Sequence, residues 1–375
     1  MTGILETPYG TRDFLPNEAA AKRAVEKKIA ELFASFGYVE VVTPTMEYLE
    51  TLTTSSGRTI EPHLFKMFDR NNRTLALRHE MTTPIARLAV SRLKDSPKPL
   101  KLSYVANVFR FRQNQPGREC EFYQAGVELL GVSNAFADAE IVALAAQALQ
   151  VSGLRDFKIC LGQVEFAAGL MEQNNLSPDA QAKIKSAIER HDIVALEKFV
   201  DEMNLDSALK KIPKLHGGRE ILSSAYELAR NERSRRALDN LTEIYRLLEI
   251  YGVADKVSFD LGLIRDFEYY TGMVFEAYAA GVGYSLAGGG RYDQMLKDFG
   301  LNCPATGFAL GIERILSARN FQGVTVDEPK KIFHVTYTAG NEAAAIQKAN
   351  ELRAAGNVVE ISLVPETGAT AVHVE

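Results

Sequence analysis

The hydrophobic and polar positions of the chain change period several times, and the changes mark elements. Residues 16–35 predict a helix filled by Ala, Lys and Glu, with Asn17 able to cap it and Gly37 to stop it. Residues 38–42 read as a short strand ending at Pro44. Residues 64–68 and 74–77 predict a hairpin around Asp69-Arg70-Asn71-Asn72. Residues 83–93 predict a helix with Pro84 in its first turn. Two paired strands follow at 100–111 and 121–130, then an amphipathic, alanine-rich helix at 135–151 and a strand at 157–161.

From about 166 to 251 the pattern is almost wholly helical, and strand signals resume at Val257, 271–279 and 284–287. Strands before and after a helical block favour a helical insertion inside one α+β domain over two tandem domains. Residues 303–320 predict a long helix and 323–329 a polar linker. The remainder gives a strand (332–337), a helix (341–355), a strand (358–363) and a short apolar stretch (371–374). The organisation expected is a core over 1–322, with its insertion at about 166–251, and a truncated α/β unit over 330–375.

Composition narrows the function classes. A chain of 375 residues can bury a sizeable core in two or three domains. A net charge of −5 gives no global field for nucleic acid. The N-terminal residues lack the basic and apolar regions of a secretory leader, and no apolar run is long enough to span a bilayer. Cys120, Cys160 and Cys303 are scattered, and the six histidines show no metal-ligand spacing. A cytoplasmic protein without structural metal or cofactor is expected.

Several clusters can carry chemistry, each with a plainer alternative. Strand alternation places Gln124, Gly126 and Glu128 on one face, with Gly126 leaving room for a ligand that carries an amino group or imidazole N–H. A solvated sheet face has the same pattern. Arg110, Arg112 and Arg118 flank a Pro-Gly turn and suit phosphate or carboxylate, or form an exposed charged turn. Glu80 and Thr82 precede a helix, where they can meet a ligand or Thr82 can simply cap. Arg265, Tyr269 and Tyr270 lie in a segment richer in polar and aromatic groups than a packed strand needs, and an Arg265–Asp266/Glu268 surface cluster explains it equally. Residues 287–293 read as a glycine-rich turn. A helix carrying Gly307, Gly311 and Arg314 near one face gives either a ligand floor or close packing on a sheet.

The order of these segments is more specific than any one of them. GYVEVVTPTMEY, LRHEMT, FRFRQNQPGRECEFYQAGVELLG, IRDFEYYTGMVFE, AGGGRYD and TGFALGIER together resemble the catalytic core of class II histidyl-tRNA synthetases, from about residue 8 to 319. The resemblance implies a class II aminoacyl-tRNA synthetase-like α+β fold. It has a six-stranded antiparallel sheet flanked by helices, and it dimerises through the first helix–strand motif. It implies that Glu80 and Thr82 hold a histidine amino group, that Gln124, Glu128, Arg265, Tyr269 and Tyr270 line the rest of the histidine pocket, and that Arg110, Arg118 and Arg314 face ATP phosphates.

Three departures point within that family. Arg112 stands where the synthetases place an acid that helps seat adenine, and an arginine there repels the magnesium of ATP. Gln113-Asn114-Gln115 replaces Arg-Pro-Gln, and Asp266-Phe267-Glu268 replaces Gly-Leu-Asp. The anticodon-reading domain is cut to a fragment, so tRNA is not an expected partner. With TPYGTRDFLP, YYTGMVFE and PATGFAL, the chain is more similar to the synthetase-like regulatory subunits of ATP phosphoribosyltransferase. That branch implies no catalytic residues, a short catalytic phosphoribosyltransferase subunit as hetero-oligomeric partner, activation of that partner, and L-histidine as feedback effector. The alternative is a histidyl-tRNA synthetase or a paralogue making histidyl-adenylate, and the four retained arginines Arg110, Arg118, Arg265 and Arg314 keep it in view.

Overall fold

The computed structural model describes residues 4–56, 58–111, 119–263, 270–324, 331–367 and 371–374. The chain divides into two units, Met1–Val324 and Thr325–Glu375. In the first, α1 (Pro16–Ser35) begins on a proline, where a missing N–H leaves no bond unmade. Leu15, not Asn17, stands at the cap, and the Glu18 carboxylate accepts its N–H at 3.3 Å. Val25, Ile29 and Phe33 bury one stripe of the helix. Gly37 takes a φ of 80° and turns the chain into β1 (Val39–Glu40). That strand is shorter than expected, because it pairs on one side only, over two residues, before Pro44 removes a donor.

β2 (Met46–Tyr48), α2 (Leu49–Ser56), β3 (Lys66–Phe68) and β4 (Thr74–Leu77) form a small sheet with a helix on it, centred on Leu52, Leu64 and Ala76. β3 and β4 are the expected hairpin. Its turn is held by the Asp69 carboxylate, which accepts the N–H groups of Asn71 and Arg73 at 2.8 Å each. β2 and α2 were not legible in the pattern. α3 (Thr82–Arg92) then leads to the main sheet.

The main sheet draws on β5 (Leu100–Phe109), β6 (Glu121–Leu130) and, after α4 (Ala135–Val151), β7 (Phe157–Gln163). A mainly helical stretch follows: α5 (Val164–Glu172), α6 (Pro178–Glu189), α7 (Ile193–Glu202), α8 (Ala208–Lys211), the two-residue β8 (His216–Gly217), α9 (Ile221–Leu228) and α10 (Glu232–Ile250). β9 (Val257–Asp260), β10 (Met273–Ala279), β11 (Ala287–Arg291), α11 (Met295–Asp298), β12 (Ala305–Gly311) and α12 (Ile312–Phe321) complete the unit. The strand order is β1-β5-β6-β12-β11-β10-β7-β9-β8. The six strands from β5 to β7 are antiparallel throughout. β1 adds in parallel at one edge, and β9 adds in parallel beyond β7.

Helices α1, α4 and α12 pack on the sheet face that carries Ala125, Val127 and Leu129 of β6. α4 is apolar almost all round rather than amphipathic, because it is wedged between that face, α1 and α10. Its one buried acid, Asp138, is matched by Arg291 at the end of β11. The guanidinium donates through Nε at 3.0 and 3.1 Å, and Nη2 lies 2.8 Å from Oδ1. Nη1 donates to the Val132 carbonyl and the Asp293 carboxylate at 3.0 Å each.

Two readings of the glycine-rich segments are corrected. Residues 287–291 form a central strand, not a turn, and residues 305–311 are a strand preceding a shorter helix. Both lie between paired neighbours, and that tertiary pairing overrides the weak strand propensity of glycine. In the second unit, β13 (Ile332–Thr336), α13 (Glu342–Ala354), β14 (Val358–Ile361) and β15 (Ala371–Val374) form a three-stranded sheet ordered β14-β13-β15. α13 covers one face through Ala345 and Ala349 against Val335 and Val359.

Candidate functional site

The sheet face away from α1 and α4 holds a cavity lined by Glu80, Thr82, Arg110, Gln124, Glu128, Tyr270 and Arg314. Seven of the ten residues singled out from the sequence therefore converge on one pocket. The other three, Arg118, Arg265 and Tyr269, lie outside the described residues, as does Arg112. A second, wider cleft beside α5 and α10 takes none of the ten.

Register places the side chains. On β6, Gln124 and Glu128 share a face, opposite Ala106 and Leu102 of β5, with Tyr104 opposite Gly126 between them. Glu128 is 1% exposed. Its Oε1 accepts the Thr82 hydroxyl at 2.8 Å, and its Oε2 accepts the Tyr292 hydroxyl. Burial pushes this carboxyl up to about 8 against the two hydrogen bonds, and the nearby Glu80 adds to the rise. Met81 holds the N-cap position of α3, and the carboxylate of Glu80, one residue earlier, accepts the N–H groups of Thr82 at 2.5 Å and Thr83 at 2.9 Å. Thr82 is thus the first helical residue, free to turn its hydroxyl to Glu128.

The strand glycines are seats for pocket side chains. A Cβ on Gly126 would strike the Tyr104 hydroxyl, so the room expected there for a ligand is filled by tyrosine. A Cβ on Gly307 would strike the Glu128 carboxylate. At Gly290 it would come within 2.9 Å of the Tyr270 ring, and at Gly311 within 3.0 Å of Arg314 Cδ. At Gly126, Gly290 and Gly307 a side chain would meet a neighbouring carbonyl as well as the pocket residue lying across the backbone, whereas at Gly311 only the flexible Arg314 chain would have to give way.

Two arginines, both half-buried, also line the cavity. Arg110 Nε donates to the His79 carbonyl at 2.8 Å, and its guanidinium lies 5.3 Å from the Phe122 ring centre. Arg314 Nη1 donates to the Ser285 carbonyl at 2.6 Å. His79 itself is fully buried behind the wall, and burial first, then Arg110, takes its imidazole down to about 4 against the pull of Glu80. It therefore stays neutral at ordinary pH.

Two buried polar atoms in the lining have no hydrogen-bond partner among the described residues: Gln124 Oε1 and the Tyr104 hydroxyl. Unpartnered groups of this kind are costly unless something else fills them. The pocket therefore offers two carboxyls, an amide oxygen, several tyrosines and two arginines in one lining. That arrangement suits a small zwitterion with a nitrogenous side chain. Tyr104 and Tyr292 were missed from sequence. The register of β5 against β6 is the signal that finds Tyr104, and pairing across β11 and β12 is the one that finds Tyr292. No group of metal-ligating side chains occurs among the described residues, and no described helix is long and apolar enough to cross a membrane.

The histidyl-tRNA synthetase family model matches residues 10–315. An ATP phosphoribosyltransferase regulatory subunit from Moorella thermoacetica is 44% identical over 95% of this chain and 91% of its own. One from Acetivibrio thermocellus is 38% identical over 95% of this chain and 86% of its own. A crystal structure described as an ATP phosphoribosyltransferase regulatory subunit/histidyl-tRNA synthetase from Bacillus halodurans is 34% identical and covers 97% of this chain and 94% of its own, with a TM-score of 0.89. The chain belongs to the histidyl-tRNA synthetase family, among the members named ATP phosphoribosyltransferase regulatory subunits.

Proposed function

We propose that this chain is the regulatory subunit of an ATP phosphoribosyltransferase in histidine biosynthesis, and that it reads histidine in the pocket on β6. It joins a short catalytic subunit, activates it, and makes it sensitive to histidine. The carrying observation is the pocket itself: Gln124 Oε1 stands unpartnered beside Glu128, Thr82 and Glu80, a set suited to an amino acid rather than to a nucleotide. Histidine's ammonium faces the carboxyls, and its carboxylate faces the arginines of the lining. Feedback of this kind requires histidine to bind two states of the complex unequally.

In this reading, synthetase activity is absent, the protein is cytoplasmic, and two copies associate through α1 and β1. The test is co-expression with a short catalytic subunit. Copurification, activation of phosphoribosyl transfer and inhibition by histidine support the reading. Histidine-dependent ATP–pyrophosphate exchange by the purified chain would instead establish the adenylating alternative.

A further inference from the structure

Three residues of the second unit stand in one row across its sheet. In the parallel pairing of β13 with β14, His334 is opposite Glu360. In the antiparallel pairing of β13 with β15, His334 is opposite His373. Direct cross-strand partners share a face and are about 5 Å apart. Phe333, Val335, Val359 and Ile361 alternate with the row and pack in the core beneath α13, so the row belongs to the other face of the sheet. There His334 Nδ1 lies 3.3 Å from Glu360 Oε2, with the imidazole half-buried and the carboxylate exposed. A histidine beside a glutamate is most simply a surface ion pair, which contributes little. Two further facts argue for more. The position of His373 brings a second imidazole to the row, and two imidazoles with a carboxylate are a donor set of zinc sites. The second unit also has little else to hold it. Among the described residues its buried core is Val335, Ala345, Ala349 and Val359. Units this small commonly rely on a disulfide or a bound metal, and this one contains no cysteine.

We propose that Glu360, His334 and His373, aligned across β14, β13 and β15, form a zinc site that staples the three strands of the second unit. Zinc takes bonds of about 2 Å to imidazole and carboxylate, a reach that suits donors on neighbouring strands. Three protein donors leave a fourth position for water. The three residues are scattered along the chain, so no ligand spacing betrays them, and strand register alone brings them together.

The test is equilibrium dialysis of the full chain against zinc chloride, using the parent, His334→Ala and His373→Ala. His216→Ala, which removes an exposed histidine of the first unit, is the control. The parent and the control are expected to retain one zinc ion per chain more than either of the other two variants. Glu360→Gln, which keeps the shape of the side chain, is expected to weaken zinc binding roughly tenfold or more. Cobalt(II) in place of zinc should give the visible absorption bands of a four-coordinate ion in the parent, and His334→Ala and His373→Ala should lose them. Limited proteolysis reads the staple directly, since zinc should slow cleavage beyond residue 330 in the parent and leave the rate unchanged in His334→Ala. Equal zinc retention by the parent and either variant of the row overturns the proposal. Loss of the ion in His216→Ala does so as well, because the ion then sits on other histidines. A parent that retains no zinc overturns it outright.

Discussion

Glu128 concentrates the chemistry of the pocket in one carboxyl. In the empty pocket it holds its proton to about pH 8, whereas an unfolded glutamate releases it near 4.3. Between those values the folded chain binds more protons than the unfolded chain. Stability from this group is therefore full below the unfolded value, declines as pH rises, and is lost once pH passes the folded value. Glu128→Gln keeps the shape and removes the titration, so its urea stability should fall less than the parent's between pH 6 and pH 8.5. Equal falls in both proteins would place the titration elsewhere. Gly307→Ala tests the seat of the same residue. The added methyl collides with the Glu128 carboxylate, and overpacking of this kind costs about 1–3 kcal/mol. Denaturant titration should show that loss, together with a smaller histidine-induced rise in melting temperature.

At the scale of elements, the buried Arg291–Asp138 pair ties β11 to α4 across the sheet. Arg291→Met leaves Asp138 buried without its partner, and removing one member of such a pair costs about 3–5 kcal/mol. Chemical denaturation should show a loss of that size, and a variant within about 1 kcal/mol of the parent would mean that water reaches the carboxylate. Long elements with a clear period were legible: α1, β5 and β6 stand where the pattern put them, and α5 to α10 fill the stretch that reads as helical. β11 and β12 were not, because their glycines signal a turn or a helix face to any local reading. Only their pairing with β10 and β6, and the side chains lying across them, make them strands. The same limit governed the site. Glu80, Thr82, Gln124, Glu128 and Tyr270 were legible from motif order, whereas Tyr104 and Tyr292 needed cross-strand register that sequence does not carry.

At the scale of the whole molecule, the chain pairs a class II synthetase fold with one polar pocket on the open face of its main sheet, which we propose takes an amino acid. The second unit has its own small core around Val335 and Val359. A chain ending at Val324 should still bind and activate the catalytic subunit, as checked by copurification and turnover. Loss of the complex would give the second unit a part in assembly. The most direct test of the central claim is a histidine titration of phosphoribosyltransferase activity in the reconstituted complex, run with the parent chain and with Glu128→Ala. The account predicts activation by both chains and a histidine midpoint raised roughly ten- to hundredfold in the variant, as expected for losing a charge-assisted hydrogen bond. Activation by neither chain, or an unchanged midpoint in the variant, would contradict it.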